Sequence, residues 1–599
     1  MLARTDSRAR ALVLFIVVAF AATAIGARLV WWQAVQQPGL QAMALHQLAQ
    51  HQELPAERGE ITDSTGQLLA TSVELQSVFA TPPMVDDPRQ AARLLAAALS
   101  MPVAEVRDRL ESDAAWVWLE RRVSPREAER VRQLDLAGVG MLAETKRVYP
   151  MQGAAKDTTM AAQLIGFVAE DEEAEGRYVG HYGIEQNENG LLAGSPGSVS
   201  AQEDVIGRRI ADSATLLTEP VDGADLRLTI DAGIQHLLEA VIWDTYRKNN
   251  ATGATGVIIN AETGAVLGMA SAPSYDANQF ATTDGARFSN PAVSRQYEPG
   301  SVMKAFTIAA ALDAGAITTR ETVDDDNNLQ LRGVRIQNAD RADFPYGHGS
   351  ITPGDVLALS NNVGAARIGL RLGGDALYDA FRRFGFGSVT GIELAAEEPG
   401  MVWHPDQASG ELTTAQNAFG QGLSLTAVQL AAGYASFANG GMLMRPHLIE
   451  GWTDPDGTYH EAQQPPGERI LRQTTADTMI DLLTNAIDDG IAQGASIPGY
   501  TVAGKTGTAQ IAGPVEVTNA EGEKVTVYRY IDGWVDSSFV GLLPAGDTKL
   551  VTVILIHRPV PWDRRMPDRP EYVYARLMPQ ILDYLAIPPD RPLEPVAQP

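Results

Sequence analysis

The stretch YEPGSVMKAFTIAAALDAG, residues 297–315, constrains this chain more than any other. After a turn at Pro299-Gly300 it reads as a helix that is apolar nearly all round. Such a helix has no face to offer to water and must be enclosed by other elements. The chain therefore has to build a layered domain around it. Ser301 and Lys304 stand three residues apart, on one face of this helix. A lysine in apolar surroundings disfavours its charged form, which lowers its pKa. A neutral amine beside a serine hydroxyl is a general base for nucleophilic attack. The competing reading is an exposed serine and a lysine whose ammonium reaches solvent.

Two further stretches bear on that choice. LALSNNVGAARIGL places Ser360 and Asn362 between two helical segments, where helix capping is the alternative role. GYTVAGKTGTAQ, residues 499–510, carries Lys505, Thr506, Gly507 and Thr508. It also matches the phosphate-loop pattern G-x-x-x-x-G-K-[ST]. A phosphate loop needs a helix directly after it to supply donors and dipole. Thr506, Thr508, Gly513 and Pro514 oppose a helix there, and the apolar run KLVTVILI ends in His557 rather than a metal-binding Asp. Lys505 is therefore expected on a strand, without a nucleotide. S-x-x-K, S-x-N and K-T-G each occur once, in that order, with spacings of 59 and 145 residues. Only seven of the 47 basic residues are lysines, and two of the seven fall in these motifs.

The rest of the chain sets the context. Its 599 residues exceed one small core, so two or more globular units are expected. A net charge of −27 argues against nucleic acid, and the absence of cysteine removes disulfides, thiol catalysis and cysteine metal sites. Residues 11–27 are apolar and uncharged, and LVWW extends the run to Trp32. That length suits one transmembrane helix. Arg4, Arg8 and Arg10 precede it, which orients the N-terminus to the cytoplasm, and Trp31 and Trp32 suit the far interface. A cleaved signal peptide is the alternative, since Ala22-Thr23-Ala24 offers a cleavage pattern. SVELQSVFAT reads as a strand, DPRQAARLLAAAL as a helix and GLLAGSPGSVSAQED as loop. LRLTI is a strand leading to a helix capped by Asp231, and TGVIINAETGAVLGMAS is a hairpin turning at Glu262-Thr263-Gly264. Helices fill about 300–450, and TVAGKTGTAQ, SSFVGLLPA and KLVTVILIHRP are strands. The pattern is an α/β domain with an antiparallel sheet packed by helices.

The three motifs together are those of serine β-lactamases and penicillin-binding proteins. The sequence resembles the class B penicillin-binding proteins, the peptidoglycan D,D-transpeptidases, over nearly its whole length. RGEITDSTGQLLA, GHYGIEQNENGLLAGSPG and NAFGQGLSLTAVQLAAGYASFANGG resemble segments of that class, with Ser64 where Arg is usual. The resemblance implies a cytoplasmic tail at 1–10, an anchor at 11–32 and an extended α+β pedestal of the dimerisation type at 33–225. A penicillin-binding transpeptidase domain at 226–588 and a tail at 589–599 follow.

It implies that Ser301 attacks the carbonyl between two D-alanines of a stem peptide and that Lys304 takes its proton. Ser360 relays a proton to the leaving amine, with Lys505 tuning the local charge. Asn362 orients Lys304 and the substrate amide, and the strand at Thr506, Gly507 and Thr508 binds the terminal carboxylate. The N–H groups of Ser301 and Thr508 form the oxyanion hole. Neither metal nor cofactor is implied. Glu298-Pro299-Gly300-Ser301 resembles the division (FtsI-type) branch rather than the elongation branch; Glu298 itself is a carboxylate that could cap the helix start. The implied partners are stem peptides, β-lactams, a membrane glycosyltransferase of the FtsW type and divisome proteins, at the cytoplasmic membrane with a single pass and an extracytoplasmic catalytic domain. A D,D-carboxypeptidase, a β-lactamase, a β-lactam sensor or an inactive scaffold are the other classes with such a site. The anchor and pedestal argue against the first two. The lack of an upstream signalling domain argues against the third, and three intact motifs against the last.

Overall fold

The computed structural model describes residues 7–36, 49–171, 177–202, 215–518, 524–543, 549–563 and 565–592. Arg4, Glu203, Asp204, Pro544, Ala545 and residues 593–599 lie outside them. The chain divides into two compact units.

The first unit takes its described residues from 7–57 and 193–223. Helix α1, Ser7–Val30, runs on through a wider π-type turn at Trp31–Val35. Residues Arg10–Ala34 form the one described helix long and apolar enough to cross a membrane. Its apolar side chains are bare, Phe15 at 71% and Phe20 at 76% exposure, as befits a helix with no protein to cover it. The Thr23 hydroxyl donates to the Ala19 carbonyl at 2.8 Å, so this mid-span hydroxyl is satisfied within the helix. The same unit holds a three-stranded antiparallel sheet with Gly197–Gln202 between Ala49–Leu54 and Thr215–Thr218. This corrects the expectation of loop over GLLAGSPGSVSAQED. Gly and Ser suggest a loop locally, but SVSAQ alternates in polarity, and pairing on both sides satisfies its backbone.

The second unit comprises residues 58–192 and 224 onward. One seven-stranded sheet runs through it, in the order 459–461, 449–453, 225–228, 61–62, 68–80, 117–123, with 139–148 also pairing with 68–80. The expected strand of SVELQSVFAT lies in Leu68–Ala80, and the expected helix is Pro88–Leu99, capped by the Asp87 carboxylate. Two of the resembling segments meet at a buried ion pair. Glu185, wholly buried, binds Arg58 at 2.6 Å and Arg147 at 2.8 Å. Buried Asp63 accepts from the backbone of Thr65 and Gln67 and from Ala232 N–H, tying this turn to the start of the next helix.

That helix is α2, Ala232–Lys248, whose first N–H groups are capped by Asp231 as expected. Five strands after it, two before residue 273 and three after residue 502, form one antiparallel sheet: β1 Gly253–Asn260, β2 Val266–Ala272, β3 Ala503–Thr518, β4 Lys524–Leu543 and β5 Leu550–His557, in spatial order β2-β1-β5-β4-β3. The β1–β2 turn sits at Glu262-Thr263-Gly264, with Gly264 at φ +82°. Alternate residues of β1 and β5 face two cores. Val257, Ile259, Val553 and Leu555 meet the central helices, while Ile258 and Ile554 meet α2 and the C-terminal helix Pro570–Tyr584. Both faces are therefore covered, which explains the unbroken apolar runs. Strand β3 runs well past Gln510, where the sequence suggested an end, and β4 begins well before Ser537, where the sequence suggested a start. Pro514 is tolerated because β3 is the edge strand of this sheet, with no outer partner among the described residues. Helix α3, Met303–Asp313, lies at the centre with residues 303–311 all buried.

Candidate active site

Ser301 sits in a tight turn, Gly300–Val302, that leads into α3. Three glycines let backbone segments close around it. A Cβ on Gly420 would lie 2.0 Å from the Gly300 carbonyl oxygen, and one on Gly507 would lie 2.8 Å from that of Pro299. A Cβ on Gly300, at φ +62°, would lie 2.9 Å from the Thr508 carbonyl oxygen. Edge strand β3 therefore runs directly beside the serine. From below, Tyr434 donates to the Val302 carbonyl at 2.7 Å and Thr307 to that of Ala418 at 2.9 Å.

Lys304, one turn on, is wholly buried. Its Nζ reaches Ser301 Oγ at 2.9 Å, Asn362 Oδ1 at 2.8 Å, Ser360 Oγ at 3.2 Å and the Ser360 carbonyl. Burial, then the neighbouring Lys505 charge, pushes its pKa well below the usual lysine range, against the opposing pull of Asp340. Lys505, on β3, is 1% exposed and donates to Ser360 Oγ at 3.0 Å and to the Thr506 carbonyl at 3.1 Å. Burial brings its pKa to about 7, with Glu571 pulling the other way. Ser360 Oγ thus bridges two lysines. The arrangement holds a hydroxyl, an amine able to accept its proton and a second hydroxyl able to pass one on. Lys505 and Gly507 share the inner face of β3; half-buried Thr506 and exposed Thr508 share the other, open to a ligand.

The residues singled out in the sequence, Ser301, Lys304, Ser360, Asn362 and Lys505, converge, with Thr506, Gly507 and Thr508 on the strand alongside. Lys505 lies in a strand, as the rejection of the phosphate loop required. Helix capping at the S-x-N segment is performed by Asn361, whose Oδ1 accepts from Gly364 N–H at 2.7 Å, which frees Ser360 and Asn362. Glu298 does not cap its own helix. Its carboxylate accepts instead from Gly422 N–H at 3.2 Å and from the Tyr530 hydroxyl at 2.9 Å. Sequence reasoning missed Asp325, Asn327 and Asn338, which form a buried polar layer behind Ser360. They carry no motif spacing and resemble ordinary turn residues. Among the described residues, no group of three or more His, Asp or Glu converges as a metal site would require.

Residues 254–568 match the penicillin binding protein transpeptidase domain, and residues 53–228 the penicillin-binding protein dimerisation domain. The chain is a class B penicillin-binding protein. It is 31% identical to stage V sporulation protein D of Bacillus subtilis over 89% of this chain and 79% of that protein. It is 29% identical to the peptidoglycan D,D-transpeptidase FtsI of Escherichia coli over 89% of this chain and 84% of that one. Among solved structures, penicillin binding protein 3 of Mycobacterium tuberculosis with aztreonam superposes with a TM-score of 0.66 at 25% identity, over 91% of this chain and all of that one. Penicillin binding protein 2X of Streptococcus thermophilus, at 22% identity and TM-score 0.72 over 90% of this chain and 80% of that one, shows the shared fold. The S-x-x-K, S-x-N and K-T-G residues of this class B penicillin-binding protein are thus those gathered around Lys304.

Proposed function

We propose that this class B penicillin-binding protein crosslinks peptidoglycan stem peptides through an acyl-enzyme on Ser301. The carrying observation is the burial of Lys304 between Ser301 Oγ, Asn362 and Ser360. Ser301 Oγ attacks the carbonyl carbon between two D-alanines as its proton passes to Lys304 Nζ. The N–H groups of Ser301 and Thr508 hold the oxyanion, each donor being worth about 10²–10³-fold in rate. Collapse breaks the C–N bond, and the leaving D-alanine amine takes the proton from Lys304 through Ser360. An amine of a neighbouring stem peptide then attacks the ester and frees Ser301. Thr506, Thr508 and protonated Lys505 receive the terminal carboxylate, and Asn362 orients Lys304. A β-lactam enters the same route at Ser301 and stops at the ester.

The test is labelling with a fluorescent penicillin followed by peptide mass spectrometry. Ser301→Ala is expected to lose all covalent label while staying folded, and Lys304→Ala to lose nearly all of it. An adduct on another residue in the parent protein would overturn the assignment.

We read residues 11–32 as a single-pass anchor, 33–225 as the pedestal and 226–588 as the catalytic domain outside the cytoplasmic membrane. The support is the bare apolar helix with arginines before it. External protease is expected to reach everything after residue 32; a mature chain starting near residue 25 would instead mean a cleaved signal. The role is septal, beside an FtsW-type glycosyltransferase and divisome proteins, supported by Glu298-Pro299-Gly300-Ser301 and the likeness to FtsI. Depletion is expected to give filaments; rounded cells that still divide would move the enzyme to elongation.

A further inference from the structure

Ser360 adopts a left-handed backbone, φ +57°, which a serine does not choose unaided. Something must hold the S-x-N segment in this shape, because the shape puts Ser360 Oγ between the two lysines. Neither lysine can hold it alone, since both reach Ser360 through long, flexible stems.

The holding contacts come from behind. The Asp325 carboxylate is 1% exposed and accepts five hydrogen bonds. Asn338 Nδ2 donates to its two oxygens at 2.8 and 3.0 Å, and Asn361 Nδ2 donates at 2.6 Å. The backbone N–H groups of Asn327 and His348 donate at 3.0 and 2.9 Å. Asn338 then turns its Oδ1 to the N–H groups of Asn362 and Val363, at 2.9 and 3.0 Å. Asn361 turns its Oδ1 to Gly364 N–H. Asn327 accepts from Asn338 N–H at 2.8 Å and closes the layer. The amides of Asn338 and Asn361 are thus oriented by giving their donor ends to Asp325 and their acceptor ends to backbone at residues 362–364. Asn362 in turn donates to the Gln337 carbonyl at 3.0 Å and presents Oδ1 to Lys304.

We propose that Asp325 is the positioning residue of this site: through Asn338 and Asn361 it fixes the backbone that aims Ser360 and Asn362 at the two lysines. Every group around it is a donor, so an acceptor-only side chain is required there. Burial alone would push this carboxyl up; the donated hydrogen bonds outweigh it and hold the carboxylate ionised. The charged side chains beside it are engaged elsewhere, Asp340 with the His348 ring at 2.8 Å and Arg367 with Asp326 at 3.0 Å, which leaves the Asp325 oxygens to their four donor groups. A carboxamide at 325 would turn an NH₂ against donors and free at least one amide to rotate. Ser360 Oγ would then lose its place, while Ser301 and Lys304, on their own helix, would keep theirs.

The inference rests on the acyl-enzyme reading above, and the test separates the two. Full-length protein in detergent is reacted with fluorescent penicillin, well below each variant's melting temperature. Asp325→Asn is expected to slow acylation by roughly ten- to a hundredfold, the usual cost of a small misplacement at a reacting centre. Label should still go to Ser301. The exchange Asp325→Asn with Asn361→Asp returns one carboxylate to the layer and is expected to recover part of the rate. A residue serving stability alone would lower the melting temperature without this loss and recovery of rate in folded protein. Should Asp325→Asn not fold, Asn338→Ala carries the same expectation. Acylation at the parent rate in folded Asp325→Asn, or in folded Asn338→Ala, overturns the inference while leaving Ser301 chemistry intact. Absence of label on the parent protein overturns the acyl-enzyme reading itself.

Discussion

Lys304 and Lys505 are two amines of one chemical type whose surroundings give them different work. Burial and then the charge of Lys505 push the Lys304 pKa well down, in the direction that suits a proton acceptor. Lys505, brought to about 7, is divided between its two forms near neutrality. Its folded pKa lies below the ordinary lysine value, so folding releases a proton. The stability cost of burying it is therefore present below pH 7 and disappears as the pH rises toward 10.5, the unfolded value. For a carboxylate ligand the sign is opposite: binding needs the cation, so acylation is expected to fall as pH rises through about 7. Lys505→Arg keeps its charge throughout and is expected to acylate more slowly but without that alkaline fall. Stopped-flow acylation of the two proteins across neutral pH checks this; a matching alkaline fall in Lys505→Arg would remove Lys505 from that role.

At the scale of elements, the site exists because an edge strand passes within backbone distance of a helix start. β3 can approach the Gly300–Val302 turn only because residue 507 has no Cβ. A methyl there would stand 2.4 Å from Ser538 Oγ and 2.8 Å from the Pro299 carbonyl oxygen. Gly507→Ala is expected to push β3 away from Ser301 and cost about 1–3 kcal/mol as an overpacked contact. Acylation should fall by roughly 10²-fold as the Thr508 donor moves off the oxyanion position. Penicillin kinetics beside a thermal melt checks it, and an unchanged acylation rate would show that the strand has room to spare.

The whole second unit is tied together by contacts distant in sequence. The seven-stranded sheet joins strands at 449–461 and 225–228, on one side, to segments from before residue 150 on the other. Glu185, with Arg58 and Arg147, locks the early strands to the helical turn at Gly183–Asn187. Glu185→Ala would leave two buried guanidinium groups without their carboxylate, at a cost of about 3–5 kcal/mol. The expected outcome in a denaturant melt is a lower midpoint, with acylation of the remaining folded protein near the parent rate because the site lies elsewhere in the unit. A large loss of acylation in fully folded protein would show the two regions to be coupled.

The sequence alone determined the parts whose signal is local. A membrane-length apolar run, a helix apolar all round with Ser301 and Lys304 one turn apart, and the hairpin at Glu262–Gly264 follow from periodicity and turn chemistry. The order of the three motifs pointed to the site residues because each is a short contiguous pattern. The tertiary structure decided what depends on neighbours far along the chain. It made Gly197–Gln202 a central strand rather than a loop, extended β3 past Gln510 and β4 back before Ser537, and gave the capping role at the S-x-N segment to Asn361. It turned Glu298 toward Tyr530 and buried Asp325 behind Ser360. These outcomes share one physical reason. A backbone group or polar side chain settles with whichever partner folding brings within hydrogen-bonding reach, and that partner is written elsewhere in the sequence.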